Sequence, residues 1–138
     1  MYPEELIAPM RAELTDAGFK EFRSSQDVED HLNEHKGTTL IVVNSVCGCA
    51  AGAARPGVRA ALDKSSKKPD VLATVFAGND SDAVSKFREK VLPYPPSSPA
   101  MALFKDGELV HFIERHHIEG RNAQMIGDHL VEVFEHFC

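Results

Sequence analysis

TTLIVVNSVCGCAAGAARPGV, residues 38–58, contains the change of pattern on which the fold turns. Thr38 to Asn44 is a nearly continuous β-branched run of the length expected for a strand buried on both faces, which places it centrally in a sheet. From Ala50 the residues become small, and Pro56, Val58, Ala61 and Leu62 follow, which predicts a helix with a proline well inside it. Cys47, Gly48 and Cys49 therefore fall where a buried strand ends and a helix begins.

Working outward towards the N-terminus, Pro3, Glu4 and Glu5 suit a first helical turn, and Leu6, Met10 and Leu14 recur at four-residue spacing before Gly18. Pro9 either kinks that helix or marks its true start. Phe19 to Arg23 is long enough only for a short strand. Ser25 to Lys36 predicts a second helix, with Asp27, Glu29 and Asp30 near its beginning and Gly37 at its end. Towards the C-terminus a second buried strand is expected at Val71 to Ala77. Asn79-Asp80-Ser81 then caps a helix through Leu92. Pro93, Pro95, Pro96 and Pro99 make a stiff loop. Met101 to Phe104 and Leu109 to Ile113 flank Asp106-Gly107, a hairpin signal. An amphipathic helix closes the chain from about Asn122 to Phe137. The order is that of an α/β thioredoxin-like fold, a mixed central sheet flanked by helices, with an extra helix at the N-terminus.

With 138 residues, 43% of them hydrophobic, the chain suits one domain spanning 1–138. A net charge of −6 argues against nucleic acid or anionic membrane as partner, since both are held by surplus Lys and Arg. The basic run Lys64 to Lys68 reads as a helix C-terminus whose cations offset the macrodipole. The opening MYPEELIAPMRAEL fits neither a signal peptide nor a membrane span, so a cytoplasmic location is expected. Three cysteines, two of them separated by a single residue, are too few for a secreted disulfide framework, and a close pair in a reducing compartment reads as redox-active or metal-binding.

A thiol at a strand-to-helix junction faces free backbone N–H groups and the positive end of the helix dipole, which stabilise the thiolate that attacks disulfides. With one residue between the cysteines, the oxidised pair should be strained and therefore oxidising. Gly48 is expected to permit backbone angles that a Cβ would forbid. A metal site is the competing reading. Cys47 and Cys49 with Cys138 and one of His111, His116 or His117 would supply zinc or copper(I) ligands, but the second C-x-C or C-x-x-C pair of a structural site is missing, and no metal is expected. In thioredoxin-like folds a cis-proline loop lies opposite the reactive cysteine, and Ser98-Pro99 is the matching position.

VVNSVCGCAAGAARPGV, VFAG from Val75, PPSSPAMAL from Pro95 and HFIERHHIEG from His111 together resemble one family, the bacilliredoxins, bacterial thioredoxin-like proteins of the C-G-C type. The resemblance runs from Pro3 to Cys138. It implies removal of bacillithiol, a low-molecular-weight thiol, from mixed disulfides on S-bacillithiolated client proteins of the cytosol. It also implies no bound cofactor, bacillithiol as co-substrate, and regeneration through an NADPH-dependent flavoprotein bacillithiol disulfide reductase. A disulfide isomerase role is also attached to the family. Carried over by position, Cys47 is the attacking thiol and Cys49 the second thiol that releases it. Gly48, Ser98 and Pro99 would border the substrate. Arg55 and Arg115 are candidates to meet the carboxylates of bacillithiol through charge-assisted hydrogen bonds. Two departures stand out: Val46 replaces the aromatic residue that precedes the first cysteine in thioredoxin, and His117 stands where the bacilliredoxin pattern has an acid. Two alternatives remain open at this stage, a general disulfide isomerase or oxidant, and a redox-sensing module that switches a partner surface.

Overall fold

The computed structural model describes residues 1–138. The elements run α1 Glu4–Thr15, β1 Lys20–Glu21, α2 Ser25–Glu34, β2 Thr38–Asn44, a π-helical turn Ala50–Ala54, α3 Arg55–Lys64, β3 Val71–Phe76, α4 Ser81–Lys90, β4 Ala100–Lys105, β5 Glu108–Ile113, α5 Arg115–Ile118 and α6 Ala123–Phe137. The sheet order is β1-β3-β2-β4-β5. The first three are parallel, while β4 and β5 join antiparallel. This is the expected mixed sheet, with α1 as the extra N-terminal helix.

The β-branched run explains why β2 is central. Every residue of Thr38–Asn44 is buried. Leu40 and Val42 point into a core built with Leu14, Val58, Ala61, Met101, Leu103, Ile126 and Leu130. Ile41 and Val43 point the opposite way, against Val28, Leu32, Ala73, Val75, Val84 and Phe87. A strand with both faces covered needs no polar alternation, so the run is apolar throughout. Asp106 and Gly107 take positive φ, 53° and 83°, the pair of left-handed conformations that a two-residue hairpin between β4 and β5 requires.

Helix α3 is pressed onto α6 by two glycines. A Cβ on Gly57 would lie 2.7 Å from Ile126 Cβ, and one on Gly127 would lie 3.2 Å from the Gly57 carbonyl oxygen. The backbones approach closely because neither position carries a side chain, and this fixes the helix that follows the cysteines.

Several boundaries differ from the sequence reading. Helix α1 begins at Glu4, so Pro9 is internal and not its start; it lies on the exposed side, where water can serve the carbonyl its ring leaves without a partner. Helix α2 ends at Glu34 and α4 at Lys90, each two residues short of expectation. Pro56 is not buried within an α-helix but occupies its first turn, because Ala50–Ala54 forms a π turn and α3 proper starts at Arg55. Asp80 does not cap α4 with its side chain. Its carboxylate is turned instead to Arg11, at 2.9 and 3.0 Å, and to Arg23. A buried arginine outcompetes the helix N–H groups for that anion. The one-turn helix α5 has no signal in the sequence.

Candidate active site

The turn that carries the cysteines is built on Asn44, the buried last residue of β2. Asn44 Nδ2 donates to the Met10 carbonyl at 3.1 Å, which ties the strand end to α1. Its Oδ1 accepts from the Ser45 N–H at 2.9 Å and from Arg55 Nη1 at 2.9 Å. Arg55 Nη1 also donates to the Ser45 carbonyl at 2.8 Å, and Nε lies 3.1 Å from Glu13 in an ion pair without hydrogen-bond alignment. Arg55 is therefore a structural clamp. Only 2% of it is exposed, and the sequence expectation that it would meet a ligand carboxylate is corrected. Its guanidinium points back under the strand end, where a buried charge must be paired by protein groups.

Ser45 Oγ then accepts from the Cys47 N–H at 3.0 Å. The Cys47 carbonyl in turn accepts from Ala50 and Ala51 N–H at 3.0 and 3.2 Å, so Cys47 stands at the mouth of the helix. The π turn carries the chain on, with the Arg55 N–H reaching the Ala50 carbonyl. Single π turns recur at functional sites because they displace backbone that a regular helix would hold in register.

Cys47 and Cys49 are free thiols whose sulfurs lie 2.7 Å apart. The Cys47 thiol is held below the ordinary cysteine range, first by the hydrogen bond from Cys49, then by the N–H groups of Cys49 and Ala50 and the charge of Arg115, against an opposing effect of burial. Burial pushes Cys49 up, and the hydrogen bond to Cys47 and the negative charge there add to the rise. One thiol is thus poised as a nucleophile and the other kept as its proton donor. Gly48 does not have the role expected of it. Its φ is not in the left-handed region, and a Cβ added there would meet nothing within 4 Å. Its α-carbon is exposed, between the two cysteines.

Cys47 opens into a cleft of about 400 Å³ lined by Tyr2, Ser45, Val46, Cys47, Ala77, Gly78, Arg88, Ser98 and Arg115. The structure thus brings Cys47, Ser98 and Arg115 together, with Cys49 in contact behind and Gly48 beside them. The Ser98-Pro99 bond is cis, as is Leu92-Pro93, which the sequence did not single out. Arg115 Nη1 donates to the Ser98 carbonyl at 3.1 Å and its Nε pairs with Glu119. His117 caps α5, its Nδ1 accepting from the Glu114 N–H. Tyr2 and Arg88 are cleft residues that sequence reasoning missed. Arg88 looks like any cation in the last turn of a helix, and nothing marks Tyr2 apart from its aromatic ring.

The metal arrangement weighed from the sequence does not assemble. The Cys138 thiol lies near Thr38, Asp70 and Lys105, by the start of β2, whereas the cysteine pair follows the end of that strand. Seven residues of extended chain, roughly 20 Å, separate the two ends. Glu114, His116 and His117 bring ligand atoms within 4.8 Å of one another, but no cysteine joins them. A second cavity of about 210 Å³, lined by His111, His117, Arg121 and His129 among others, contains neither reactive thiol.

A family model described as "Disulphide isomerase" matches residues 2–138. The chain is 62% identical over 135 residues to a bacilliredoxin of Cytophaga hutchinsonii, covering 98% of each. The chain belongs to the bacilliredoxin family. It is also 50% identical over 137 residues to a bacilliredoxin of Geobacillus kaustophilus, covering 99% of this chain and 94% of that one. Among solved structures it resembles Fasciola hepatica thioredoxin, with a TM-score of 0.61 at 20% identity over 87% of this chain and 100% of that one. Mitochondrial thioredoxin 3 of Saccharomyces cerevisiae gives a TM-score of 0.58 at 14% identity over 90% and 98% of the two chains. At such identities the likeness is one of fold. Together the bacilliredoxin family, the thioredoxin-like fold and the paired thiols make this chain a thiol-disulfide oxidoreductase. No helix is long and apolar enough to cross a membrane.

Proposed function

We propose that the chain removes bacillithiol from mixed disulfides on cytoplasmic proteins. The observation that carries this reading is the Cys47 sulfur, lowered in pKa, open to a cleft with Arg115 on its wall and backed at 2.7 Å by Cys49. In the first step the Cys47 thiolate attacks the bacillithiol sulfur of the mixed disulfide. The client's sulfur leaves with the electron pair of the broken bond and takes a proton, and bacillithiol is left disulfide-bonded to Cys47. Two of the three influences that raise Cys49, its hydrogen bond to the Cys47 thiolate and that thiolate's charge, vanish once Cys47 is in the adduct. Cys49 then loses its proton more readily and attacks Cys47 Sγ, releasing bacillithiol and forming the Cys47–Cys49 disulfide. Two further bacillithiol molecules supply the two electrons that reopen it and leave as bacillithiol disulfide, the substrate of an NADPH-dependent flavoprotein reductase. No bound cofactor or metal takes part in these steps.

The family description "Disulphide isomerase" favours a second reading, in which the same thiolate reshuffles protein disulfides. The deciding experiment compares turnover on a bacillithiolated protein, a glutathionylated one and a scrambled disulfide substrate. Preferential turnover of the bacillithiolated protein supports the proposal. Activity confined to the scrambled substrate overturns it in favour of the isomerase.

A further inference from the structure

We propose that Arg88 is a specificity residue for the small-thiol half of the substrate, and that the cleft selects thiols whose non-sulfur part carries carboxylates. This deepens the reading above and rests on it for the identity of the natural thiol. The net charge of the chain is −6, yet the nine residues lining the cleft include two arginines and no acid. Glu119 offsets the charge of Arg115, so the uncompensated cation of the cleft is Arg88, and it is this group that favours an anionic ligand.

The two arginines are not equivalent. Arg115 is committed through Nε to Glu119 and through Nη1 to the Ser98 carbonyl, and its charge acts on Cys47. Arg88 is half-buried and takes part in none of the salt bridges or side-chain hydrogen bonds of the molecule. All of its donors remain open to a ligand. Although it occupies the last turn of α4, it does not stay with the helix C-terminus, where its charge would merely offset the dipole. Long helical side chains lean towards the helix N-terminus, and that direction brings Arg88 into the cleft formed with the Ala77-Gly78 turn at the start of α4.

Tyr2 closes the same cleft. Its N–H donates to Asn79 Oδ1 at 2.9 Å and its carbonyl accepts from Asn79 Nδ2 at 2.8 Å. The ring rests on Gly78, where a Cβ would come within 2.9 Å of Tyr2 Cε2. The occupant is thus a compact anion attached to a sulfur that faces Cys47. The Ser98 carbonyl, ahead of the cis-proline, is already taken by Arg115, which leaves less edge for an extended peptide and more room for a small molecule.

The test uses one reporter protein with a single cysteine, blocked in turn by mercaptosuccinate (two carboxylates), 2-mercaptoethanol (neutral), cysteamine (cationic) and bacillithiol. Only the small thiol changes, so carboxylates on the client cannot alter the ratios. The ratio of release rates, mercaptosuccinate over mercaptoethanol, should exceed one in the wild type. It should fall by about tenfold in Arg88→Gln, as loss of a charge-assisted hydrogen bond implies. Arg88→Lys should recover part of the ratio, and Arg88→Glu should turn the preference towards cysteamine. An Arg88→Gln ratio equal to that of the wild type overturns the inference even if bacillithiol is removed normally. If the wild type ignores the bacillithiol adduct while the charge selectivity and its loss in Arg88→Gln are intact, bacillithiol is the wrong thiol and the acidic-thiol cleft stands.

Discussion

Asn44 and Arg55 are joined by a 2.9 Å hydrogen bond from Nη1 to Oδ1, linking the residue that ends β2 to the residue that begins α3, so the turn with both cysteines is clamped at its two ends. The first helical turn after the cysteines is thereby fixed to the sheet before any substrate arrives.

Loss of this clamp should be costly. Arg55→Met removes a donor from Asn44 Oδ1 and the Ser45 carbonyl within a buried region. We expect a loss of about 2 to 4 kcal/mol in urea unfolding, in the range of one or two buried groups left without partners. An unchanged midpoint would mean that Arg55 is not clamping the turn.

The titration of Cys47 should depend on its neighbours in a definite order. Thiolate absorbance, or alkylation rate against pH, should show Cys47 titrating below an ordinary cysteine, so reactivity is gained at lower pH than for a free thiol. Cys49→Ala removes the largest stabilising influence and should move the midpoint up. Arg115→Gln should move it up by less. Equal midpoints in all three proteins would remove the electrostatic basis of the nucleophile assignment.

The thiols should divide their labour. Cys49→Ala should still remove bacillithiol from a client and accumulate it as an adduct on Cys47, because the first exchange needs only one accessible thiolate. Cys47→Ala should do neither. Intact mass after incubation with a bacillithiolated protein separates the variants, and full activity with an adduct on Cys49 in Cys47→Ala would reverse the roles.

Acid should weaken the fold through His31. Burial, helped by the charge of Lys20 and by His35, lowers His31 from 6.5 to about 4 in the folded chain, and its Nε2 lies 2.8 Å from Thr39 Oγ1. Between those values the unfolded chain takes up a proton that the folded chain refuses. Stability held above pH 6.5 is therefore lost as pH falls towards 4. His111 and His129 are lowered in the same direction. Denaturation midpoints across this range should fall less steeply in His31→Gln, and parallel slopes would exclude His31 as the source.

Mild oxidation should join Cys47 to Cys49 and leave Cys138 out of the intrachain bridge. Cys138 is raised in pKa by burial and lies at the far end of β2. Peptide mapping that found a dominant Cys47–Cys138 link would contradict the topology.

Much of this could be read in the residues. Thr38–Asn44 declares itself because a strand with two covered faces has no reason to alternate, and the thiol pair is legible because it interrupts the pattern at the strand's end. Arg55 is not legible in this way, because spacing along a helix says how far a side chain is from the site, not whether it points outward or under the strand. The π turn, set by backbone bonds that small residues leave unmarked, decides that direction. Asp80 has the sequence of a cap and the partners of an ion pair, because Arg11 comes from 69 residues away. Arg88 was invisible for a similar reason, since its surroundings come from Tyr2, Cys47 and Arg115, which are close only after folding.

The contact of Gly57 with Ile126 and of Gly127 with the Gly57 carbonyl has a dynamic consequence. Two helices whose backbones touch leave no slack for sliding, so the thiols ride on the part of the molecule with least freedom to breathe. Ser98 and Arg115 belong to a loop and a one-turn helix, which are segments that ordinarily open first. Substrate entry and release should therefore be motions of the cleft walls around stationary sulfurs, and amide exchange should be slow along α3 and α6 and fast in the walls.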